Sequence, residues 1–381
     1  MSAALRVPHC TLPPECERLR GEVREFLDRA LAHMTPRERA ESWNGFDTDF
    51  SRKLGARGWI GMTWSASYGG HERSFLERYV VSEELLAAGA PVAAHWIADR
   101  QSAQQILAFG SESQKRQLLP GIARGELFFA IGMSEPDSGS DLASLRSRAR
   151  RVERGWLLDG RKVWTSNAHR VQYLIGLFRT SGTPQDRHAG LSQFLVDLRT
   201  PGISIRPIVN LAGDHHFNEI TFEEVLLPAE NLLGVEGEGW QQVNHELAFE
   251  RSGPERYLSS VQVLVQMIDA ASADNQRHGV GIGRAVSQAC AIRQLSLGIA
   301  GMLARGDDPG VAAAILKELG TNFEQSLPAL AHELFDLESP AALASLEPVV
   351  TYVMQIAPSF SLRGGTREVV RGIIARALGL R

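Results

Sequence analysis

Residues 157–180, LLDGRKVWTSNAHRVQYLIGLFRT, hold two short runs rich in apolar and β-branched residues, LLDGRKVWTS and QYLIGLFRT, parted by an Asn-containing break. Runs of this length bounded by Gly, Asn, Asp or Pro read as strands. The texture extends both ways: RARRVERGW (148–156) precedes it, and SQFLVDLRT (192–200), ISIRPIVNL (203–211) and FNEITFEEVLLP (217–228) follow. Together these segments predict an antiparallel all-β unit over 128–235. The polar, turn-rich SGTPQDRHAG (181–190) is an exposed connection within it.

Outward from this unit the period changes. In 1–127 Leu19, Val23, Phe26 and Leu27 share one helical face, and Leu76, Tyr79, Val80, Glu83 and Leu86 make a second stripe. Thr35-Pro36-Arg37-Glu38 and Ser111-Glu112-Ser113-Gln114 carry the capping-box spacing of a helix start. Between them GARGWIGMTWSASYGG (55–70) reads as a loop. Helical periodicity returns over 236–381, in QQVNHELAFE (241–250), a run from Tyr257, GRAVSQACAIRQLSLGIAGML (283–303) and VVRGIIARALGL (369–380). The order helical, β, helical gives an α+β fold, mainly α, and excludes a doubly wound α/β sheet, which needs strands alternating with helices.

Composition bounds the function classes. The chain has 381 residues, 44% hydrophobic, with 40 Lys+Arg against 44 Asp+Glu. That balance argues against a nucleic-acid or anionic-membrane surface as the main partner. Three cysteines, Cys10, Cys16 and Cys290, form neither a disulfide framework nor a metal cage. No apolar run approaches the ~18–20 residues that cross a bilayer. The start MSAALRVPHC has no secretory pattern, and a cytoplasmic location is expected.

The chemistry-bearing candidates are few. Gly279-Val280-Gly281-Ile282-Gly283 lacks the G-x-G-x-x-G spacing and follows no strand, so it reads as a helix-start loop and not a dinucleotide fingerprint. His215-His216 point to opposite faces of a strand, and no metal site is expected there. Trp240, Val243, Leu247 and Glu250 share a helical face, and an apolar face raises a carboxyl pKa toward that of a general base. On spacing alone the same Glu250 reads more readily as an ion-pair partner of Arg251 or another arginine. Gly364-Gly365-Thr366 precede the last helix, where helix-start N–H groups could meet an anion or enolate oxygen, or simply form a capped turn. Alternation sets Trp164 and Ser166 on one strand face, an aromatic plane beside a hydroxyl on which a flat heterocycle could stack.

Four segments in order resemble the acyl-CoA dehydrogenase family over nearly the whole chain: FFAIGMSEPDSGSDLASL (128–145), GRKVWTSNA (160–168), RHGVGIGRAVSQ (277–288) and GGTREVVRGIIAR (364–376). The resemblance implies an N-terminal α-helical domain (1–127), a middle β-barrel domain (128–235) and a C-terminal α-helical bundle (236–381). It also implies FAD-dependent α,β-dehydrogenation of an acyl-CoA thioester, a carboxylate taking the α-proton while the β-hydrogen leaves as hydride to flavin N5. Ser134 and the backbone of 131–140 would contact the flavin, and Ser140 would lie between flavin and CoA. Trp164 would stack on the ring system beside Thr165, and Ser166 would hydrogen-bond N5. Arg277 and Gln288 would reach the FAD of a neighbouring subunit, and Thr366 and Glu368 would contact the cofactor from the last helix.

Most members of the family carry the base immediately before Gly-Thr, where this chain has Gly364. A minority carry it one residue before an Arg on a helix of the last domain, the place of Glu250-Arg251, so the resemblance makes Glu250 the base. Arg251 and Gly365 would then face the substrate, and the Gly364 N–H would hold the developing enolate oxygen. The implied partners are an electron-transferring flavoprotein and further subunits, as a homo- or hetero-oligomer resembling a dimer of dimers. LFDLESPAALASLEP (334–348) replaces the family's glycine-rich L-G-G-N-G segment, and GDHHFNEI (213–220) replaces a barrel motif that usually carries Arg and Ser/Thr. Some bacterial relatives acting on steroid side chains are heteromers with degenerate partners, and this chain resembles their catalytic half. A flavin oxidase or monooxygenase of the same fold, and a non-catalytic assembly subunit, are the alternative functions.

Overall fold

The computed structural model describes residues 6–250, 253–340 and 344–380, without the side chains of 247–250. The chain divides into two compact units. A helical unit takes residues up to Asp47, Arg73–Ala93 and Glu250 onward, and a sheet unit takes Thr48–Glu72 and Ala94–Phe249.

The sheet unit has eight strands: β1 (Phe129–Gly132), β2 (Arg148–Val152), β3 (Gly155–Ser166), β4 (Tyr173–Arg179), β5 (Leu191–Asp197), β6 (Ile203–Val209), β7 (His215–Leu227) and β8 (Leu232–Leu233). Their order is β6-β7-β3-β2-β4-β5-β8, with β1 on β4. Every strand sends residues to one apolar cluster built on Trp156, Phe178, Phe194 and Phe222, so the sheet is curled around a single core. Each such ring contributes ~2–3 kcal/mol through burial.

Two features depart from the antiparallel pattern expected from the sequence. The FAIG segment forms β1, which pairs with β4 in parallel, and β2 also meets β4 in parallel at Arg148↔Arg179. A β1–β4 link spanning two intervening strands is a crossover, and long crossovers are the connections that permit parallel pairing. The remaining strand pairs are antiparallel. Helices α3 (Thr48–Ala56), α6 (Ala103–Phe109), α7 (Glu112–Ala123) and most of α8 (Gly239–Glu250) belong to the same unit. Helix α7 starts with the Ser111/Gln114 capping box, and Gln114 Nε2 donates to the carbonyls of Glu230 (2.7 Å) and Leu232 (3.0 Å). The stretch read as a loop from Gly55 is helical for its first two residues and irregular afterwards, apart from one 3₁₀ turn at Ala66–Tyr68.

The helical unit comprises α1 (Pro14–Ala30), α2 (Pro36–Glu41), α4 (Phe75–Ala87), α9 (Val261–Asp269), α10 (Gln276–Ala304), α11 (Gly310–Leu334), α12 (Leu346–Ile356) and α13 (Arg367–Ala377), while α5 (Ala93–Ile97) begins at its last residue before the sheet unit resumes. Cys16, Leu19, Val23, Phe26 and Leu27 are the buried face of α1, and α2 begins with the Thr35/Glu38 capping box. The run expected from Tyr257 becomes α-helical only at Val261, after a 3₁₀ turn at Pro254–Arg256. The glycines 279, 281 and 283 lie inside α10 and not in a loop before it. Asn275 caps that helix by accepting from Arg277 N (3.0 Å), which fixes the start upstream of the glycines. Gly281 serves close packing: a Cβ there would stand 2.7 Å from a Leu334 methyl of α11.

A buried polar network ties α1, α4, α10 and the turn that precedes α9 together. Glu83 accepts two bonds from Arg293 (2.7 and 2.9 Å), one from Arg20 (2.9 Å), and one each from Tyr79 (3.0 Å) and Tyr257 (3.2 Å). Arg20 also reaches Glu84. Burial acts to raise the Glu83 pKa, but Arg293 and Arg20 hold it below the usual carboxylate value. Removing the carboxylate would take Arg293's carboxylate partner away while leaving Arg20 with Glu17 and Glu84 and the two phenols with each other, so Glu83→Ala is expected to lower the unfolding free energy by about 3 kcal/mol. Urea denaturation checks this, and a loss below ~1 kcal/mol, the worth of a surface pair, would contradict it.

Candidate functional site

The candidate site residues fall in two sets, one in each unit. In the sheet unit, β1 leads into the turn 133–147, which is pinned beside β3. Val163 N donates to Ser134 O (2.9 Å), bringing Ser134 next to the Trp164–Ser166 segment. The turn closes on itself through a two-way backbone pair between Glu135 and Ser138 (2.9 and 3.1 Å). Ser138 Oγ donates to Asp141 O (2.8 Å), Arg187 forks onto the Asp141 carboxylate (3.0 and 2.6 Å), and Ser140 stands exposed between Ser138 and Asp141.

Beneath the turn lies a buried ion pair that the sequence reading did not find. Lys162 Nζ donates to Glu135 Oε1 (2.9 Å) and to Met133 O (3.1 Å), and it lies 5.1 Å from the centre of the Phe178 ring. The same carboxylate accepts from the backbone of Arg146 (2.7 Å) and Ser147 (2.9 Å), so both ends of the turn converge on it. Burial pushes the Lys162 ammonium down and Glu135 opposes the shift. Burial would raise Glu135, but the lysine charge and the N–H donors hold it below its ordinary value. Both groups therefore stay charged at neutral pH. The signal was a lysine at an inward-pointing strand position, in line with Trp156 and Leu158.

Trp164 reaches outward by a different route from simple alternation. Between Lys162↔Ile220 and Thr165↔Asn218 the register with β7 slips by one residue, which is a β-bulge. Trp164 sits on it at φ +60° with 59% of its surface exposed, and its ring stands edge-on to Phe217 at 5.9 Å. Ser166 is half-buried, whereas Thr165 is buried with its hydroxyl enclosed and unpartnered among the described residues. An exposed indole beside a hydroxyl and a backbone turn suits a flat aromatic cofactor, which would cover the ring that water now meets.

In the helical unit Arg277 and Gln288 line one groove of about 660 Å³ between α10 and α11, together with Gly281 and Arg284. Arg277 is held there by donating to Glu333 O (2.9 Å). Arg363 fixes the start of the glycine pair by donating to Glu324 (2.9 Å) and Ser259 Oγ (2.8 Å), with its guanidinium over Trp43 at 4.2 Å. Gly364 (φ +64°) and Gly365 (φ +90°) then turn the chain through left-handed space, where a side chain would cost ~1–2 kcal/mol. Thr366 caps α13 by accepting from Val369 N (3.4 Å), and Glu368 is exposed in its first turn.

Glu250 is the last described residue of α8, whose Val243 is buried and whose Trp240 packs with it against Leu145, Leu177 and Leu191. The Glu250 side chain and Arg251 lie outside the described residues.

A curled sheet carrying an exposed indole, with a set of long helices in the same chain, defines an α+β architecture. The N-terminal domain of acyl-CoA dehydrogenases matches residues 13–126, and the family's middle domain matches 130–225. The chain is 30% identical over 384 residues to the acyl-CoA dehydrogenase FadE29 of Mycobacterium tuberculosis, covering 97% of each protein. It belongs to the acyl-CoA dehydrogenase family. It is also 34% identical over 342 residues to FadE34 of the same organism, spanning 86% of this chain but 45% of FadE34. Among solved structures, the Tcur3481-Tcur3483 steroid ACAD superposes with a TM-score of 0.84 at 27% identity, over 97% of both chains. Among the described residues no helix is long and apolar enough to cross a membrane.

The turn should come loose in acid. Glu135 has a depressed folded pKa, so its contribution is present above the ordinary carboxylate range and lost as pH falls through the folded value. Between about pH 5 and about pH 3 the melting temperature of the protein is expected to fall more steeply than that of Glu135→Gln, in which nothing titrates at this position. Parallel slopes would contradict the linkage.

Proposed function

We propose that this chain is an FAD-dependent acyl-CoA dehydrogenase that introduces an α,β double bond into an acyl-CoA thioester. The observation that carries the reading is the Trp164 platform on the β3 bulge, hydrogen-bonded through Val163 to the Ser134 turn in a member of this family. When bound, FAD supplies the two-electron acceptor, taking hydride from the substrate β-carbon at N5. Trp164 stacks on the ring system, with Thr165 contributing backbone beside it, and Ser166 offers its hydroxyl to the N5 edge. Ser134 and the backbone of 131–140 hold the flavin side, and Ser140 separates flavin from CoA. Arg277 and Gln288 bind the FAD of a neighbouring subunit from their shared groove, while Thr366 and Glu368 bind from the start of α13.

Glu250 removes the α-proton. Glu250 follows Trp240, Val243 and Leu247 at helical spacing, and an apolar face moves a carboxyl toward a base working near neutrality. Position 364 carries no acid, and its left-handed backbone suits glycine. The Gly364 N–H donates to the thioester oxygen as it gains enolate charge, Gly365 lies along the acyl group, and Arg251 orients the base or the CoA side. A ring-bearing, steroid-type acyl group is the favoured substrate, because the similar solved structure is described as a steroid ACAD. Electrons pass on to an electron-transferring flavoprotein, and the working assembly is a homo- or hetero-oligomer.

Anaerobic mixing of the purified flavoprotein with straight, branched and ring-bearing acyl-CoAs tests this. Ring-bearing thioesters are expected to bleach the flavin fastest, and Glu250→Gln to slow bleaching on the order of a hundred- to ten-thousand-fold. A failure of every thioester to bleach it rejects the substrate class. Unchanged bleaching in Glu250→Gln rejects the base, and rapid peroxide formation on admitting air replaces the dehydrogenase with an oxidase.

A further inference from the structure

The segment GDHHFNEI (213–220) runs behind the β3 bulge, and its polar residues hold the bulge from that side. Two non-glycine residues close together, Trp164 (φ +60°) and Asn167 (φ +55°), occupy left-handed backbone. Asparagine adopts this region readily, but for Trp164 it costs ~1–2 kcal/mol, so the local structure must hold the indole there. On one side Val163 N is fixed to Ser134 O, and on the other Asn167 N donates to His216 O (2.9 Å). Between them the Thr165 carbonyl is taken by a side chain, Asn218 Nδ2, at 3.0 Å.

That bond fixes the hydrogen positions around it. Asn218 is fully buried, and since its Nδ2 faces a carbonyl, its Oδ1 must be the acceptor of the contact to His215 Nε2 at 2.8 Å. His215 therefore carries its proton on Nε2. Its ring is stacked on His169 at 3.7 Å and 13°, and His169 belongs to the turn that follows β3. Burial first, then His215, presses His169 down to about 4, so the stack is not a pair of cations. The cluster leaves His169 Nδ1 and Thr165 Oγ1 enclosed without partners among the described residues. A corner with only a packing role would avoid that cost by being apolar.

We propose that His215 is a positioning residue for the cofactor-facing bulge, acting through Asn218 on the Thr165 carbonyl with His169 stacked behind it. The role rests on the flavin reading of Trp164 and Ser166, and extends it to a residue that touches no ligand. Chain order makes the lever short: His215 holds Asn218, Asn218 holds Thr165, and Thr165 is flanked by the two side chains assigned to the flavin.

Near-ultraviolet circular dichroism of the flavin-free protein, taken as the difference from its Trp164→Phe variant, isolates the ordered indole. His215→Ala and Asn218→Ala are expected to remove most of that difference, and His215→Gln, which still presents a donor to Asn218, to restore at least part of it. In the same variants FAD affinity, read by titration of flavin fluorescence, is expected to weaken about tenfold, as for other residues that orient a binding group from behind. His169→Phe keeps a flat ring in the stack and is expected to preserve both signals. Should His215→Ala and Asn218→Ala keep the full indole signal and FAD affinity, the proposal is overturned. A wild-type chain that takes up no FAD sinks the flavin reading instead, while the dichroism still decides whether His215 orders Trp164.

Discussion

The ion pair between Lys162 and Glu135 sets the terms for the sheet unit. An ammonium on the inner side of a curled sheet is tolerable only if its charge is met and its remaining donors are bonded. Here the partner sits at the start of a turn, and the turn also sends two backbone N–H groups from its far end to the same carboxylate. Charge balance inside the core thus dictates where residues 133–147 run outside it. Ser134 lies beside β3 for that reason, and Ser140 is left exposed at the crest of a loop whose two feet are anchored. The helical unit uses charge in the same way, with Glu83 gathering Arg20, Arg293 and two tyrosines from different elements. In both places one carboxylate organises groups far apart in sequence.

Much of the fold was legible because it depends on local rules. The capping boxes at Thr35 and Ser111 and the apolar stripe of α1 occur where the spacing put them, since a cap is a contact over three residues and a stripe is a property of one helix. Strands β2 to β7 were visible for the same reason. The parallel pairing of β1 was not, because FAIG looks like any short apolar run and its partner lies beyond two further strands. The glycines of α10 misled in the opposite direction. Glycine weakens a helix by roughly 1 kcal/mol, yet at Gly281 the closeness of Leu334 in α11 requires it, and tertiary packing overrides the local preference.

The site was legible in its parts and not in its mechanics. Pattern and resemblance named Trp164 and Ser166, and the structure leaves the first exposed and the second half-buried, with Thr165 buried between them. They did not reveal the bulge that aims the indole, because a register slip depends on both strands at once. Nor did they reveal the histidine stack, since β4, β5 and β6 separate His169 from His215 in sequence. Adjacent histidines were read as facing apart, and they do engage different neighbours: His215 lies on His169, and His216 stands edge-on to Phe217.

The bulge at Trp164 has an arithmetic side. Because side chains alternate along a strand, one extra residue exchanges inside for outside in everything that follows it. Before the bulge the even-numbered positions Trp156, Leu158 and Lys162 point to the core; after it Thr165 does. Deleting the extra residue of β3 here would leave Thr165 opposite Asn218 and still inward, two positions after Lys162, but would remove the bulge that turns the indole outward. The spacing between the inward lysine and the outward indole is therefore a counted quantity, and an alignment that slides a gap across it would assign the wrong face to every residue up to the end of the strand.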